Sequence, residues 1–92
     1  MTRQRLIFLR INDIYNMIEK ASKYMYCQRC MKPLSETGYE TRVVKDSNGS
    51  LVAIGKKIMR VVVHIYCKCG AYIGTHFDAY SAYMGARQWG RT

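Results

Sequence analysis

The sequence predicts an α+β fold: an N-terminal helix, a small antiparallel sheet of about three strands, and a short C-terminal helical segment. Three observations predict it. Apolar residues recur with a helical period through the first segment. They alternate with period two between residues 56 and 65. An Asn48-Gly49 pair, a strong hairpin signal, separates two strand-like runs.

The elements follow in order. Ile7, Ile11, Ile14, Ile18, Ala21 and Met25 are spaced alternately by four and three, which places them on one helix face. Asn12, Asp13, Asn16, Glu19, Lys20 and Lys23 fall mostly on the other faces. The helix is placed within residues 1–24 and is best defined over 12–24. Residues 5–10 also read as a short strand, with Asn12 then capping the helix. The stripe can pack on this chain's own sheet. Its mean period of 3.5 also suits a homodimer seam through Ile7, Ile11, Ile14 and Ile18.

Residues 25–34 form a tight turn with two cysteines, and Tyr39–Lys45 reads as a strand. A reversal at Asn48-Gly49 returns the chain through Leu51–Ile54, which Gly55 ends. Lys56–Ile65 is the third strand. Met59, Val61, Val63 and Ile65 face one way, and Arg60, Val62, His64 and Tyr66 the other. Gly70 and Gly74 flank a second turn. Phe77–Trp89 is a weak helix, with Asp78 as its N-cap and Phe77, Tyr80, Tyr83 and Met84 on one side. Residues 75–92 thus make a helical, basic tail. No linker or low-complexity run interrupts the chain, so residues 1–92 are expected to form a single domain.

A chain of 92 residues has a marginal core unless something staples it. Hydrophobic residues make up 49%, enough to exclude a disordered tail. Fifteen Lys and Arg against six Asp and Glu give a charge of +9. That excess suggests an anionic partner: nucleic acid first, then an acidic protein or a membrane surface. The longest apolar runs, Leu6–Leu9 and Val61–Val63, fall far short of the ~20 residues of a membrane span. No export signal is visible, so an intracellular protein with reduced cysteines is expected.

The four cysteines are the candidate staple. They are spaced Cys27-x-x-Cys30 and Cys67-x-Cys69. Two thiolates on one tight turn can share a metal, and two such turns complete the tetrahedron that zinc prefers. Each turn has a tyrosine, Tyr26 or Tyr66, before its first cysteine and a Lys or Arg between its cysteines. Over roughly residues 25–74 the chain resembles the zinc-ribbon family. The resemblance implies two cysteine-bearing knuckles at the ends of a small antiparallel sheet. It also implies Cys27, Cys30, Cys67 and Cys69 as ligands of one structural Zn2+. One departure stands out: ribbons usually have two residues between the second pair, and here Lys68 stands alone. A treble clef is the alternative, because the last cysteines precede a helix. The small, Tyr-rich, basic chain also resembles ribbon proteins of archaeal viruses, which implies a host cytoplasm as its setting.

His64 and His76 are the substitute ligands, although each reads by default as a polar surface residue. His64 has the wrong strand parity to join Cys67. A closed four-thiolate site has no open position for substrate. The chain also has no phosphate loop, nucleophile elbow or His-Glu-x-x-His run, so no enzyme is expected.

Two function classes remain in front. One is nucleic-acid binding of a transcription-regulator kind, with Arg42, Lys56, Lys57 and Arg60 as the candidate phosphate-binding face. Arg3, Arg5, Arg10, Lys45, Arg87 and Arg91 add charge. Aromatic residues are able to stack on bases, although most, including Phe8 and Tyr15, are expected to fill the core. The other class is an interaction module docking on a larger assembly such as a polymerase or ribosome. Basic residues on one continuous face favour the first, and an apolar patch favours the second.

Overall fold

The buried side chains are almost all aliphatic, and they come from both helical and extended segments. Ile14 and Ile18 from the first helix share one cluster with Val52, Val61, Val63 and Ile65 from the sheet. Each contributes about 1.5–3 kcal/mol through burial. The computed structural model describes residues 9–89. Ile7, Arg3, Arg5, Phe8 and Arg91 lie outside the described residues.

In chain order the elements are β1 (Leu9–Arg10), α1 (Ile11–Ala21), a 3-10 turn (Ser22–Tyr24), β2 (Tyr26–Cys27) and β3 (Lys32–Pro33). Then come the single turn α2 (Leu34–Thr37), β4 (Tyr39–Ile54), β5 (Lys57–Cys67), β6 (Tyr72–Thr75) and α3 (His76–Trp89). The α+β class is as expected, with more strands than about three. The main sheet has the order β1-β4-β5-β6, and β2-β3 is a separate two-stranded ribbon. The sheet is mixed, because β1 pairs parallel to β4, with Leu9 opposite Val52. Leu9 and Arg10 are therefore strand, and the helix starts at Ile11 with Arg10 at its N-cap. The Arg10 N–H donates to Asp13 Oδ2 at 3.4 Å, which leaves Asn12 inside the first turn. No helix among the described residues is long and apolar enough to cross a membrane.

The helical stripe serves this chain's own core. Ile14, Ile18, Ala21 and Met25 are buried, and Ile11 packs beside them. Helices α1 and α3 pack on each other and join the cluster formed by Val61, Val63 and Ile65. On α3 the buried positions are His76 and Ala79, with Ala82 and Tyr83 half-buried. Phe77, Tyr80 and Met84 are exposed.

The hairpin reverses elsewhere than Asn48-Gly49. β4 runs from Tyr39 to Ile54 and pairs with β5 on both sides of an irregularity. Lys45 and Ser50 both register with Val61, so residues 46–49 bulge out. The reversal is the two-residue turn between Ile54 and Lys57, where Gly55 adopts φ +64°. An Asn-Gly hairpin turn requires positive φ at both residues. Neither Asn48 nor Gly49 has it. The long β5 decides this: β4 pairs with it on both sides of the bulge and so satisfies backbone groups along Lys57–Cys67. Within the bulge, Asp46 Oδ1 accepts from Asn48 N–H at 2.9 Å. Arg60 donates to the Gly49 carbonyl at 3.0 Å.

His76 is buried at 3% exposure, contrary to its reading as a surface residue. Its Nδ1 accepts from Val63 N–H at 3.1 Å, so the proton sits on Nε2, 3.0 Å from Ser50 Oγ. The ring thus ties the start of α3 to the bulge. Thr75, not Asp78, caps that helix. Thr75 Oγ1 accepts from Phe77 N–H at 3.2 Å, and Asp78 Oδ2 accepts from Thr75 N–H at 2.8 Å.

Burial, and then the charge of His64, lowers the His76 pKa below its ordinary 6.5. The neutral ring is the folded form, while the unfolded chain takes up a proton near 6.5. The contribution of His76 to stability is therefore complete above 6.5 and lost as pH falls through the lower folded value. A melting series from pH 7 to pH 5 should fall more steeply for the native protein than for His76→Asn, whose amide oxygen can keep the Val63 bond.

Candidate metal centre

Two turns carry the sulfurs, and in each a backbone hydrogen bond returns to the carbonyl of the first cysteine. In the first, between β2 and β3, Met31 N–H donates to the Cys27 carbonyl at 2.8 Å. In the second, between β5 and β6, Gly70 N–H donates to the Cys67 carbonyl at 2.8 Å. The residue closing each turn is left-handed, Met31 at φ 60° and Gly70 at φ 98°. Met31 holds this conformation despite its Cβ, a cost of about 1–2 kcal/mol. The two turns meet because Tyr39, at the start of β4, registers with Cys67 at the end of β5. Lys68 N–H also donates to the Gly38 carbonyl at 3.1 Å.

This geometry brings all four cysteines together. The sulfurs of Cys27, Cys30, Cys67 and Cys69 lie within 4.8 Å of one another. Cys27 and Cys69 are 3.7 Å apart, as are Cys30 and Cys67. A disulfide needs about 2.05 Å, and all four are free thiols. The edge of a regular four-thiolate tetrahedron with bonds of about 2.3 Å is about 3.8 Å. The donor set therefore fits a metal ion. The single residue between Cys67 and Cys69 does not exclude Cys69. The second pair sits in the turn between β5 and β6.

Surrounding groups act on Cys67 and Cys30 in opposite directions. Cys30 N–H points at Cys27 Sγ at 3.4 Å. The Cys67 thiol is drawn down to about 6, first by a backbone hydrogen bond from Cys69 and then by Thr37. Thr37 Oγ1 lies 3.3 Å from Cys67 Sγ, and its hydroxyl can rotate to donate to the thiolate. The Cys30 thiol is pushed up to about 12 by hydrogen bonds with the Cys69 and then the Cys67 side chains, and next by burial. A bound cation would take the place of the thiol protons. Cys27 and Cys67 are buried, while Cys69 is exposed.

Neither histidine belongs to this group. His64 lies on the opposite sheet face, as its parity predicts, 2.9 Å from Tyr72 Oη. His76 is held by Val63 and Ser50. Nothing in the sequence pattern marks Thr37, and Met31 lacks the glycine that usually marks a left-handed position.

Of the candidate phosphate-binding residues, Arg42 registers with His64, and Arg60 follows the same parity along β5. Both are exposed on the face away from the helices. Lys56 and Lys57 are exposed at the hairpin end. None of the eight tyrosines is buried, Tyr15 included. Tyr15, Tyr24, Tyr26, Tyr72 and Tyr80 are exposed, contrary to the core role expected for Tyr15, while Tyr39 and Tyr83 pack half-buried against the core. Compared with known proteins, the chain matches no family model, no curated protein and no solved structure.

Proposed function

We propose that the protein is a small zinc-stapled module that binds nucleic acid through phosphate contacts. Zinc suits the closed set of four thiolates, which leaves no open position for catalysis. A ribbon-like role for the two cysteine turns accords with their placement in strand-to-strand turns. The observation that carries the nucleic-acid reading is the disposition of charge. Three of the six carboxylates are engaged locally: Asp13 and Asp78 at helix starts and Asp46 in the bulge. Arg42 and Arg60 share the open sheet face, with Lys56 and Lys57 at its end.

The test is binding to random DNA and RNA across a salt series. Each phosphate contact adds about 0.7–0.9 to the slope of log affinity against log salt. Changing Lys56 and Lys57 together to Ala should weaken binding to all sequences alike and reduce that slope. The melting temperature should barely move, since both side chains are exposed.

A second reading draws on one observation, the exposed apolar stripe of Phe77, Tyr80 and Met84 on α3. Such a stripe suits docking on another protein. If the protein has no affinity for DNA or RNA at low salt, docking becomes the better reading, with an acidic protein surface as the target.

A further inference from the structure

Among the described residues, helices pack on one face of the sheet only. On the other face, β4 contributes Glu40, Arg42 and Val44, and β5 contributes Arg60, Val62, His64 and Tyr66. Tyr72 of β6 registers with Tyr66 across the strand pair. Val62 is the one buried residue of that β5 row.

The aromatic groups on this face hold one another. The rings of Tyr66 and Tyr72 meet edge to face, with centroids 5.4 Å apart. His64 lies 5.4 Å from Tyr72, tilted by 54°, and bonds its hydroxyl. The Arg42 guanidinium lies 5.6 Å from the Tyr66 ring centroid. Tyr72 is nevertheless 52% exposed. It also lines a groove of about 280 Å³, together with Tyr26 and Arg29 beside the first cysteine turn. Fixed aromatic rings with exposed surface lose little conformational entropy on binding, and the charges around them are Arg29, Arg42 and Arg60 against Glu40 and Asp78.

We propose that this open face is a stacking platform for single-stranded nucleic acid, with Tyr72 and Tyr66 against the bases and Arg42 and Arg60 on the phosphates. The inference rests on the nucleic-acid reading above and specifies its ligand. Charge selects a polyanion, and exposed rings select a polyanion whose bases are free to leave their own stack. Bases in a duplex are stacked on each other and offer no such faces. Arg42 registers with His64, and Arg60 stands four positions along β5, roughly 13 Å away. The two arginines therefore bind separate stretches of one backbone, on the same face as the tyrosines.

The test measures binding of the zinc-loaded protein to a labelled homopolymer strand of DNA or RNA and to a duplex of equal length. The single strand should bind more tightly. Tyr72→Leu should weaken single-strand binding roughly ten- to a hundredfold and leave the salt slope unchanged, while Tyr72→Phe should keep native affinity. Arg42→Ala should lower the slope by about 0.7. Ultraviolet cross-linking of the unmodified protein to a bromouridine-containing strand covers the case in which Tyr72→Leu misfolds. Cross-links should map to Tyr66 or Tyr72. Equal binding to duplex, native affinity in Tyr72→Leu, or cross-links confined to other regions would overturn the platform and leave the nucleic-acid reading standing. No affinity for either form would overturn both.

Discussion

Replacing Cys27 by Ser should leave the chain largely unfolded at room temperature. Cys27 is fully buried, and its sulfur is 3.7 Å from that of Cys69. The apparent binding free energy of a structural zinc is about 10–16 kcal/mol in small zinc peptides. The whole stability of a small domain is about 5–15 kcal/mol. Losing the metal therefore removes a contribution as large as the margin itself. Cys69→Ser should also cost metal affinity, although Cys69 is exposed, because a ligand's value lies in its bond to the metal and not in its packing. A loss of 3 kcal/mol or more there corresponds to a fall in melting temperature of at least about 12 °C. His64→Gln should keep its metal and lose only about 1 kcal/mol, from one hydrogen bond to Tyr72. Thermal melts followed by circular dichroism, with metal content measured in parallel, check all three. Native metal content in Cys69→Ser would remove it from the ligand set.

Gly49→Ala should cost about 2 kcal/mol or more, a fall of about 8–16 °C in melting temperature. A Cβ at Gly49 would stand 2.3 Å from the Val61 carbonyl oxygen and 2.9 Å from its nitrogen. Both are backbone atoms of the central strand, so the bulge has to move away. That movement strains the Arg60 bond to the Gly49 carbonyl and the Ser50 bond to His76. Asn48→Ala should cost less than about 0.5 kcal/mol, since Asn48 is exposed. A true Asn-Gly hairpin turn would give a different pattern, because Asn48 would then occupy a left-handed position that Ala tolerates poorly. Paired melts of the two variants separate the cases.

What was legible in the sequence was what periodicity and spacing encode. The Ile11, Ile14, Ile18 stripe marks α1 because 3.6 residues per turn leave no other way to bury it. The alternation of Met59, Val61, Val63 and Ile65 marks β5 and its inner face. Cysteine pairs on two turns mark the four-sulfur cluster, a candidate metal centre. The Asn48-Gly49 signal failed for a reason of length. The pair describes a local preference, while β5 needs a partner along all of Lys57–Cys67, and that long-range pairing prevails. The role of His76 was hidden because its partners, Val63 and Ser50, are distant in sequence. The Thr75-x-x-Asp78 cap is present in the sequence, but Asp78 by itself also matches the N-cap preference. The exposure of Tyr15, Tyr24, Tyr26, Tyr72 and Tyr80 was illegible for a different reason. The aliphatic residues already fill the small core, and only packing reveals which residue type is left over.

The most direct test is the metal itself. Protein expressed in reducing cytosol should contain one zinc per chain, and X-ray absorption at the zinc edge should show four sulfur neighbours at about 2.3 Å. Removing that zinc with a chelator at neutral pH should unfold the chain. A metal-free preparation that keeps its full secondary structure, with the cysteines joined as disulfides, would contradict the account.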